Sequence, residues 1–447
     1  MKTPICDFVE KYAREGKMRL HMPGHKGVPF LGVEDRDITE VEGADVLYNS
    51  EGIIAESEKN ASMLFESGKT IYSTEGSSLC IRAMIYLLSI YAKKQGKRPL
   101  ILAARNAHKT FTSAVALTGC DVKWIYPEGE EGNLISCRVS PERLEKILCE
   151  ANELPTAVYL TSPDYLGAIS DIKGIAEVCK KHGALLAVDN AHGAYLKFLK
   201  ESRHPIDLGA DICCDSAHKT LPVLTGGAYL HISRNAPSIF AELASVAMSL
   251  FASTSPSYLI LQSLDMANKY LAAGCRERMI KTADMVDELK NKLTRGGFSL
   301  IGDEGFKICI EAKKYGYLGS EIAAILFDKG IVCEFCDRDF VVMMFTPEIG
   351  EKDAERLASE LLSIPKRPEM CERMPQVGRP EIVMTVRDAM MSPSVELGVD
   401  ESLGRALASA NVSCPPAIPI ILCGERIDEN AIKCFKYYGI EKCRVVD

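Results

Sequence analysis

No run of about 18 consecutive uncharged apolar residues occurs in this 447-residue chain, so a membrane-spanning helix is not expected. Residues 1–17 alternate charge with apolar side chains and lack the apolar centre of a secretory leader. An excess of positive charge is also missing. Lys and Arg number 53 against 61 Asp and Glu, a net charge of -8, which argues against nucleic acid as the main partner. Internal repeats and low-complexity tracts are absent, which excludes solenoids and tail-like disordered segments. Cysteine is plentiful, 17 residues from Cys6 to Cys443, but metal-binding spacing is lacking. Cys333 and Cys336 form a lone C-x-x-C, and Cys213 and Cys214 are adjacent, with no second pair or nearby histidine. The expectation is buried, reduced thiols in a cytoplasmic protein, with no metal.

What is present is the composition of a folded enzyme-sized chain, 47% hydrophobic and 26% charged. Its length suggests two to four domains at roughly 100–200 residues each. From about residue 70 to 235, strand-length apolar runs (100–103, 122–126, 157–160, 185–188, 228–232) alternate with helical stretches (77–91, 108–118, 141–151, 172–182). This alternation predicts an α/β fold with a mostly parallel sheet covered on both faces. Residues 237–295 read as long helices. A second α/β pattern follows, with strands at 298–301, 308–311, 331–335 and 341–345 and helices at 319–330 and 353–362. Residues 363–379 read as a linker. The predicted division is an arm (1–50), a large domain (51–275), a small α/β domain (276–365) and a C-terminal domain (366–447). The arm is expected to be irregular, because Pro23, Gly24, Gly27 and Gly32 interrupt any helix.

Four local motifs carry chemistry. Asp215-Ser216-Ala217-His218-Lys219-Thr220-Leu221 places a lysine between hydroxyl and imidazole groups. A desolvated amine there is a nucleophile suited to forming an imine, and Ser216 and His218 can donate to a phosphate. Taken alone, it also matches an ordinary surface loop. The strand 185–188 runs into Asp189-Asn190-Ala191-His192-Gly193. A carboxylate at the carboxyl end of a parallel strand can pair with a protonated pyridine nitrogen, and the alternative is a helix cap. Ser73-Thr74-Glu75-Gly76-Ser77-Ser78 opens a helix whose N-terminus can hold a phosphate, although serine-rich caps are common. Arg105-Asn106-Ala107-His108 follows a strand, where an imidazole can stack on a planar ring or cap a helix.

In this order the motifs resemble the Orn/Lys/Arg decarboxylase family, with the aspartate-aminotransferase-like fold (fold type I of the pyridoxal-phosphate enzymes). His21-Met22-Pro23-Gly24-His25-Lys26-Gly27 resembles the family's HMPGHKG signature. Thr161-Ser162-Pro163-Asp164-Tyr165-Leu166-Gly167 and Ser253-Thr254-Ser255-Pro256-Ser257-Tyr258 resemble two further family segments. Pro415-Pro416-Ala417-Ile418-Pro419 and Gly424-Glu425 resemble its C-terminal PPGIP and PGE elements. The resemblance spans nearly the whole chain and matches the short form without a wing domain. It implies pyridoxal 5'-phosphate on Lys219, Asp189 at the pyridine nitrogen and His108 stacked on the ring. Gly76, Ser77, Ser78, Ser216 and His218 would hold the phosphate, and His192 would lie near the ring and the substrate carboxylate. It also implies a homodimer or higher oligomer with the site at the interface, where Thr254 or Ser255 reaches the partner's phosphate. The implied activity is decarboxylation of lysine, ornithine or arginine, in polyamine metabolism, with Lys219 or His192 as proton donor.

Several positions depart from the family pattern. Asp189-Asn190-Ala191-His192-Gly193-Ala194-Tyr195 replaces DEAHGAH, Thr225-Gly226-Gly227 replaces TQ, and Ala408-Ser409 replaces Ala-Glu. Asp37, Glu40, Asp45 and Glu425 are the remaining acids considered for a substrate's distal cation. Competing readings are another fold-type-I activity, such as an aminotransferase or carbon–sulfur lyase, and an inactive cofactor-binding regulatory homologue.

Overall fold

The computed structural model describes residues 1–127, 136–413 and 419–447. Short apolar runs form seven strands of one sheet: β1 (Lys69–Ser73), β2 (Leu100–Ala104), β3 (Asp121–Ile125), β4 (Ala157–Thr161), β5 (Leu185–Asp189), β6 (Ile212–Asp215) and β7 (Ala228–Ile232). Their order is β1-β7-β6-β5-β4-β2-β3. β2 runs parallel to β3 and β5 parallel to β6, while β7 runs against both β1 and β6. The central sheet is mostly parallel, as its strand–helix alternation predicts. The chain divides into two compact units, one of residues 1–99, 154–159 and 172–276, the other of residues 100–153, 160–171 and 277–447.

In the first unit, helix α1 (Pro4–Arg14) corrects the expectation of a wholly irregular arm. The helix-breaking glycines begin only at Gly16, and a proline in the first turn costs no hydrogen bond there. α1 buries Ile5 and Val9, and the Asp265 carboxylate accepts the amides of Ile5 and Cys6 at 3.0 and 3.1 Å. Residues 15–52 do contain no helix or strand. Asp45 then gathers the amides of Val46, Glu51, Gly52 and Ile54, closing the entry to α2 (Ile53–Phe65). β1 leads into α3 (Gly76–Lys94), whose buried face includes Leu79, Met84, Leu87 and Leu88.

Next along the chain come α4 (Lys109–Thr118), α5 (Pro141–Cys149), α6 (Ile172–His182), α7 (Ala217–Thr220), α8 (Ser238–Phe251), α9 (Tyr258–Ala272) and α10 (Cys275–Arg295). Apart from the four-residue α7, which no sequence expectation covered, these helices follow the predicted pattern.

In the second unit a four-stranded antiparallel sheet has the order β10-β11-β9-β8, from β8 (Leu300–Ile301), β9 (Lys307–Glu311), β10 (Phe335–Cys336) and β11 (Phe340–Met344). The strand expected over 331–335 shrinks to Phe335 and Cys336, the two residues that pair with β11. α11 (Gly319–Asp328) and α12 (Glu351–Ser363) cover this sheet together with α10. Their joint core holds Leu289, Leu293, Ile322, Leu326, Leu357 and Leu361. Each such buried side chain stabilises the fold by about 1.5–3 kcal/mol relative to exposure. Residues 365–379 carry no helix or strand. Beyond them, α13 (Val386–Met391) and α14 (Glu429–Tyr437) accompany two strand pairs, β12 (Ser394–Gly398) with β15 (Lys442–Val446) and β13 (Asn411–Ser413) with β14 (Pro419–Leu422). The proline cluster at 415 and 416 lies outside the described residues.

Candidate active site

Parallel strands β5 and β6 end side by side, with Asp189 opposite Cys214. These are the carboxyl ends of parallel strands, where α/β folds collect their sites. Asp189 is 2% exposed, and its carboxylate is held by three neutral donors. The Ala191 amide lies at 3.2 Å, the Tyr159 hydroxyl at 3.5 Å and the Cys214 thiol at 3.7 Å. Burial pushes both the tyrosine and the thiol well above their ordinary pKa, so both keep their protons. No positive charge is among these contacts. A buried carboxylate in that setting suits a cationic ring nitrogen.

The turn after Asp189 brings His192, 5% exposed, to the lysine that sequence singled out. Lys219 Nζ stands 2.9 Å from His192 Nε2. A hydrogen bond there requires one of the two groups to be neutral, because an ammonium and an imidazolium cannot donate to each other. Lys219 sits in the four-residue α7, which Ser216 separates from the end of β6.

Ser216 Oγ donates to Ser77 Oγ at 2.8 Å, which joins two of the predicted phosphate-binding motifs. Ser77 and Ser78 occupy the first turn of α3, where amides lack intrahelical partners. The Gly76 amide is already used, donating to the Gly226 carbonyl at 2.7 Å. Gly226 has φ +99°, and a Cβ there would meet the Thr74 carbonyl oxygen at 2.9 Å. The departure from TQ at this position thus coincides with a backbone contact that favours glycine. His218 Nδ1 donates to the Gly227 carbonyl at 2.9 Å. Burial lowers the His218 pKa, so the ring is neutral at pH 7 and its other nitrogen is an acceptor. Thr254 and Ser255 are exposed, on a segment tied by the Ser253 amide to the Glu75 carboxylate at 2.7 Å. Tyr195 is fully buried in a short 3-10 turn, Ala194–Phe198.

His108 belongs to the second unit. It caps α4, its Nδ1 accepting the Thr110 amide at 3.3 Å and lying 2.9 Å from the Thr110 hydroxyl. Just before it, Arg105 makes a buried bidentate pair with Glu425, with 2.8 Å between Nη2 and Oε2. Glu425 also accepts the Leu422 amide at 2.8 Å. Of the four acids considered for a distal cation, Glu425 is therefore already neutralised, and Asp45 is spent on backbone amides. Asp37 pairs with His25 at 3.2 Å and Glu40 is exposed. Ser409 is half-buried.

Sequence reasoning gave no role to Tyr159, Cys214 and Asp215, and noted Asn190 only as a departure from the family pattern. Tyr159 and Cys214 are spelled as ordinary core residues, and their contact with Asp189 depends on strand register. Among the described residues, no helix is long and apolar enough to cross a membrane, and the 16 cysteines are free thiols.

The model of the Orn/Lys/Arg decarboxylase major domain matches residues 3–296. An arginine decarboxylase of Bacillus subtilis (strain 168) is 28% identical over 96% of this chain and 92% of its own length. Two lysine decarboxylase structures share the fold at 18% identity. LdcF of Francisella novicida, with a TM-score of 0.78, covers 100% of this chain and 81% of its own. Lysine decarboxylase A of Pseudomonas aeruginosa, with a TM-score of 0.79, covers 98% and 76%. With a family-model match over well over half its length, the chain belongs to the Orn/Lys/Arg decarboxylase family.

Proposed function

We propose that this protein removes the α-carboxylate of a basic amino acid, with arginine the first substrate to try, using pyridoxal phosphate held by Lys219. The observation that carries the reading is the 2.9 Å contact between Lys219 Nζ and His192 Nε2 beside a buried Asp189. The arginine decarboxylase of Bacillus subtilis, matched across 92% of its length, favours arginine over lysine and ornithine.

The residues present suit the cofactor. Asp189, ringed by neutral donors, would hold the pyridine nitrogen protonated. Ser77, Ser78 and Ser216 would bind the phosphate, whereas His218, its one N–H spent on the Gly227 carbonyl, would add a donor only once protonated. The family resemblance would put His108 on the ring. When bound, the cofactor supplies an electron sink for the bond being broken. The protein's part would be to orient the substrate's α-carboxylate for that bond cleavage. Lys219 would hold the cofactor through its side-chain amine. Lys219 or His192, sharing one proton across 2.9 Å, then returns a proton to the α-carbon. Asp37 and Glu40 in the arm remain for the guanidinium or ammonium of the substrate.

Residues 51–275 are proposed as the cofactor domain, with residues 1–50 an arm, residues 276–365 a small domain and residues 366–447 a C-terminal domain. The working form is proposed to be a cytoplasmic homodimer serving polyamine synthesis, with Thr254 or Ser255 reaching the partner's phosphate site. In its favour, the single chain leaves Leu20, Phe30 and Leu31 of the arm 86%, 77% and 88% exposed. Large exposed apolar side chains in one segment favour a covered surface.

The test is a product assay on cofactor-loaded protein with arginine, lysine and ornithine supplied separately, and mass spectrometry for agmatine, cadaverine and putrescine. One dominant amine is expected. No amine from any of the three sinks the reading and directs attention to transamination or to a regulatory role. Lys219→Ala should lose the borohydride-reducible bond to the cofactor. A variant that keeps it would move the anchor elsewhere.

A further inference from the structure

The turn that presents His192 rests on a buried amide–carboxylate pair outside the residues assigned a role above. Asn190 and Asp215 are both fully buried, and Asn190 Nδ2 donates to Asp215 Oδ1 at 2.7 Å. The Asn190 amide also donates to the Cys214 carbonyl at 3.0 Å, and its own carbonyl accepts the Gly193 amide at 2.7 Å. Asn190 is thereby fixed at backbone and side chain, and the two residues between it and Gly193 are Ala191 and His192. Gly193 leaves the room this needs, since a Cβ there would fall 2.0 Å from Asn190 Oδ1.

The other half of the pair is equally constrained. Asp215 Oδ2 lies 3.0 Å from His204 Nε2 and 3.3 Å from His231 Nε2, both rings fully buried. His231 is held in turn by the Thr70 hydroxyl, 2.8 Å from its Nδ1. Burial acts to raise the Asp215 pKa, but the two imidazoles outweigh it and hold the group below the ordinary carboxylate range. An anion buried this deeply is retained only where donors surround it. Asp215 also stands four residues before Lys219, at the end of β6. The side-chain bond adds to the backbone bond from Asn190 to the Cys214 carbonyl, and together they link the strand end that leads to the lysine with the turn that carries its histidine partner.

We infer that the Asn190–Asp215 pair, braced by His204 and His231, is a positioning device that sets His192 against Lys219. The inference rests on the proposed roles of those two residues, but its main readout does not require turnover.

The experiment uses wild type, Asn190→Ala, Asn190→Asp and the exchanged pair N190D/D215N. In cofactor-free protein, the pH midpoint of Lys219 acetylation is measured by peptide mass spectrometry. In loaded protein, kcat and KM are measured against pH. N190A removes the bond, and N190D sets two carboxylates against each other. The exchange restores one amide and one carboxylate with the bond reversed. N190A and N190D are expected to shift the Lys219 midpoint by at least half a pH unit. They should also lower kcat about ten-fold or more while KM changes less than about three-fold, and the exchanged pair should recover most of both losses.

The inference is overturned if folded N190A keeps the wild-type midpoint and pH profile, or if the exchanged pair is no better than N190D. Should N190D fail to fold, the comparison of N190A with wild type still decides. An intact midpoint shift in a protein that makes no amine from arginine, lysine or ornithine would sink the proposed activity and leave the positioning role standing.

Discussion

Glu58 lies in α2 with its carboxylate accepting the Tyr72 amide at 2.9 Å, and burial pushes its pKa up to about 7. The folded state therefore binds a proton that the unfolded chain releases near pH 4. Stability from this group is present at low pH and is lost as pH rises toward 7. Glu58→Gln keeps an acceptor for Tyr72 and carries no charge. It should match wild type near pH 4 and gain on the order of 1–3 kcal/mol at pH 8, read by urea unfolding at both values.

Asp215 has the opposite sign. Its folded pKa lies below the unfolded value, so its contribution is present above about pH 4 and lost below it. His231 adds to this, since burial lowers its pKa and the unfolded chain takes up that proton first as pH falls below about 6.5. Asp215→Asn should therefore lower stability at pH 7 and flatten the loss between pH 5 and 3. An unchanged acid limb would mean that the carboxylate is not held ionised by the two imidazoles.

At the scale of elements, the informative pieces are a turn and a helix mouth. Gly193 closes the turn after β5, and any side chain there displaces the Asn190 amide. Gly193→Ala should lower kcat more strongly than it lowers cofactor affinity, because His192 moves while the phosphate site stays. At the start of α3, Ser77→Ala removes a hydroxyl facing Ser216. A hydrogen bond to a charged group contributes about 1.5–3 kcal/mol. The expected result is a cofactor Kd raised roughly ten- to hundred-fold, measured by absorbance titration, with kcat at saturating cofactor changed far less.

At the scale of the molecule, Arg105 and Glu425 stand 320 positions apart and meet at 3% and 1% side-chain exposure. Removing one partner strands a buried charge, which typically costs 3–5 kcal/mol. Glu425→Ala should lower the unfolding free energy by about that amount, whereas a surface pair such as Arg14 with Glu10 should contribute under about 1 kcal/mol. The exposed arm makes a second prediction. Leu31→Asp should shift the proposed dimer toward monomer in sedimentation and lower activity, while leaving the unfolding midpoint of the single chain close to wild type.

Apolar runs at 100–103, 157–160, 185–188 and 228–232 announced the sheet, because a buried parallel strand needs little more than branched residues flanked by helices. The structure brings Lys219 to His192 and Ser216 to Ser77, residues that stood out in the sequence because chemistry constrains residue type within local motifs. β1 and β6 escaped notice, as four- and five-residue strands with polar or cysteine positions leave little periodicity to read. Helix α1 escaped because the glycines after it coloured the whole arm. Glu425, Asp45 and Asn190 looked alike as polar residues in loops, and only tertiary structure separated them. One neutralises Arg105, one collects backbone amides, and one ties a turn to Asp215. The sequence by itself determined which groups the chain carries and the order of its strands and helices along it. Which carboxylates are already spent, and which histidine stands against the lysine, depended on contacts between distant segments, where burial decides how a charge must be satisfied.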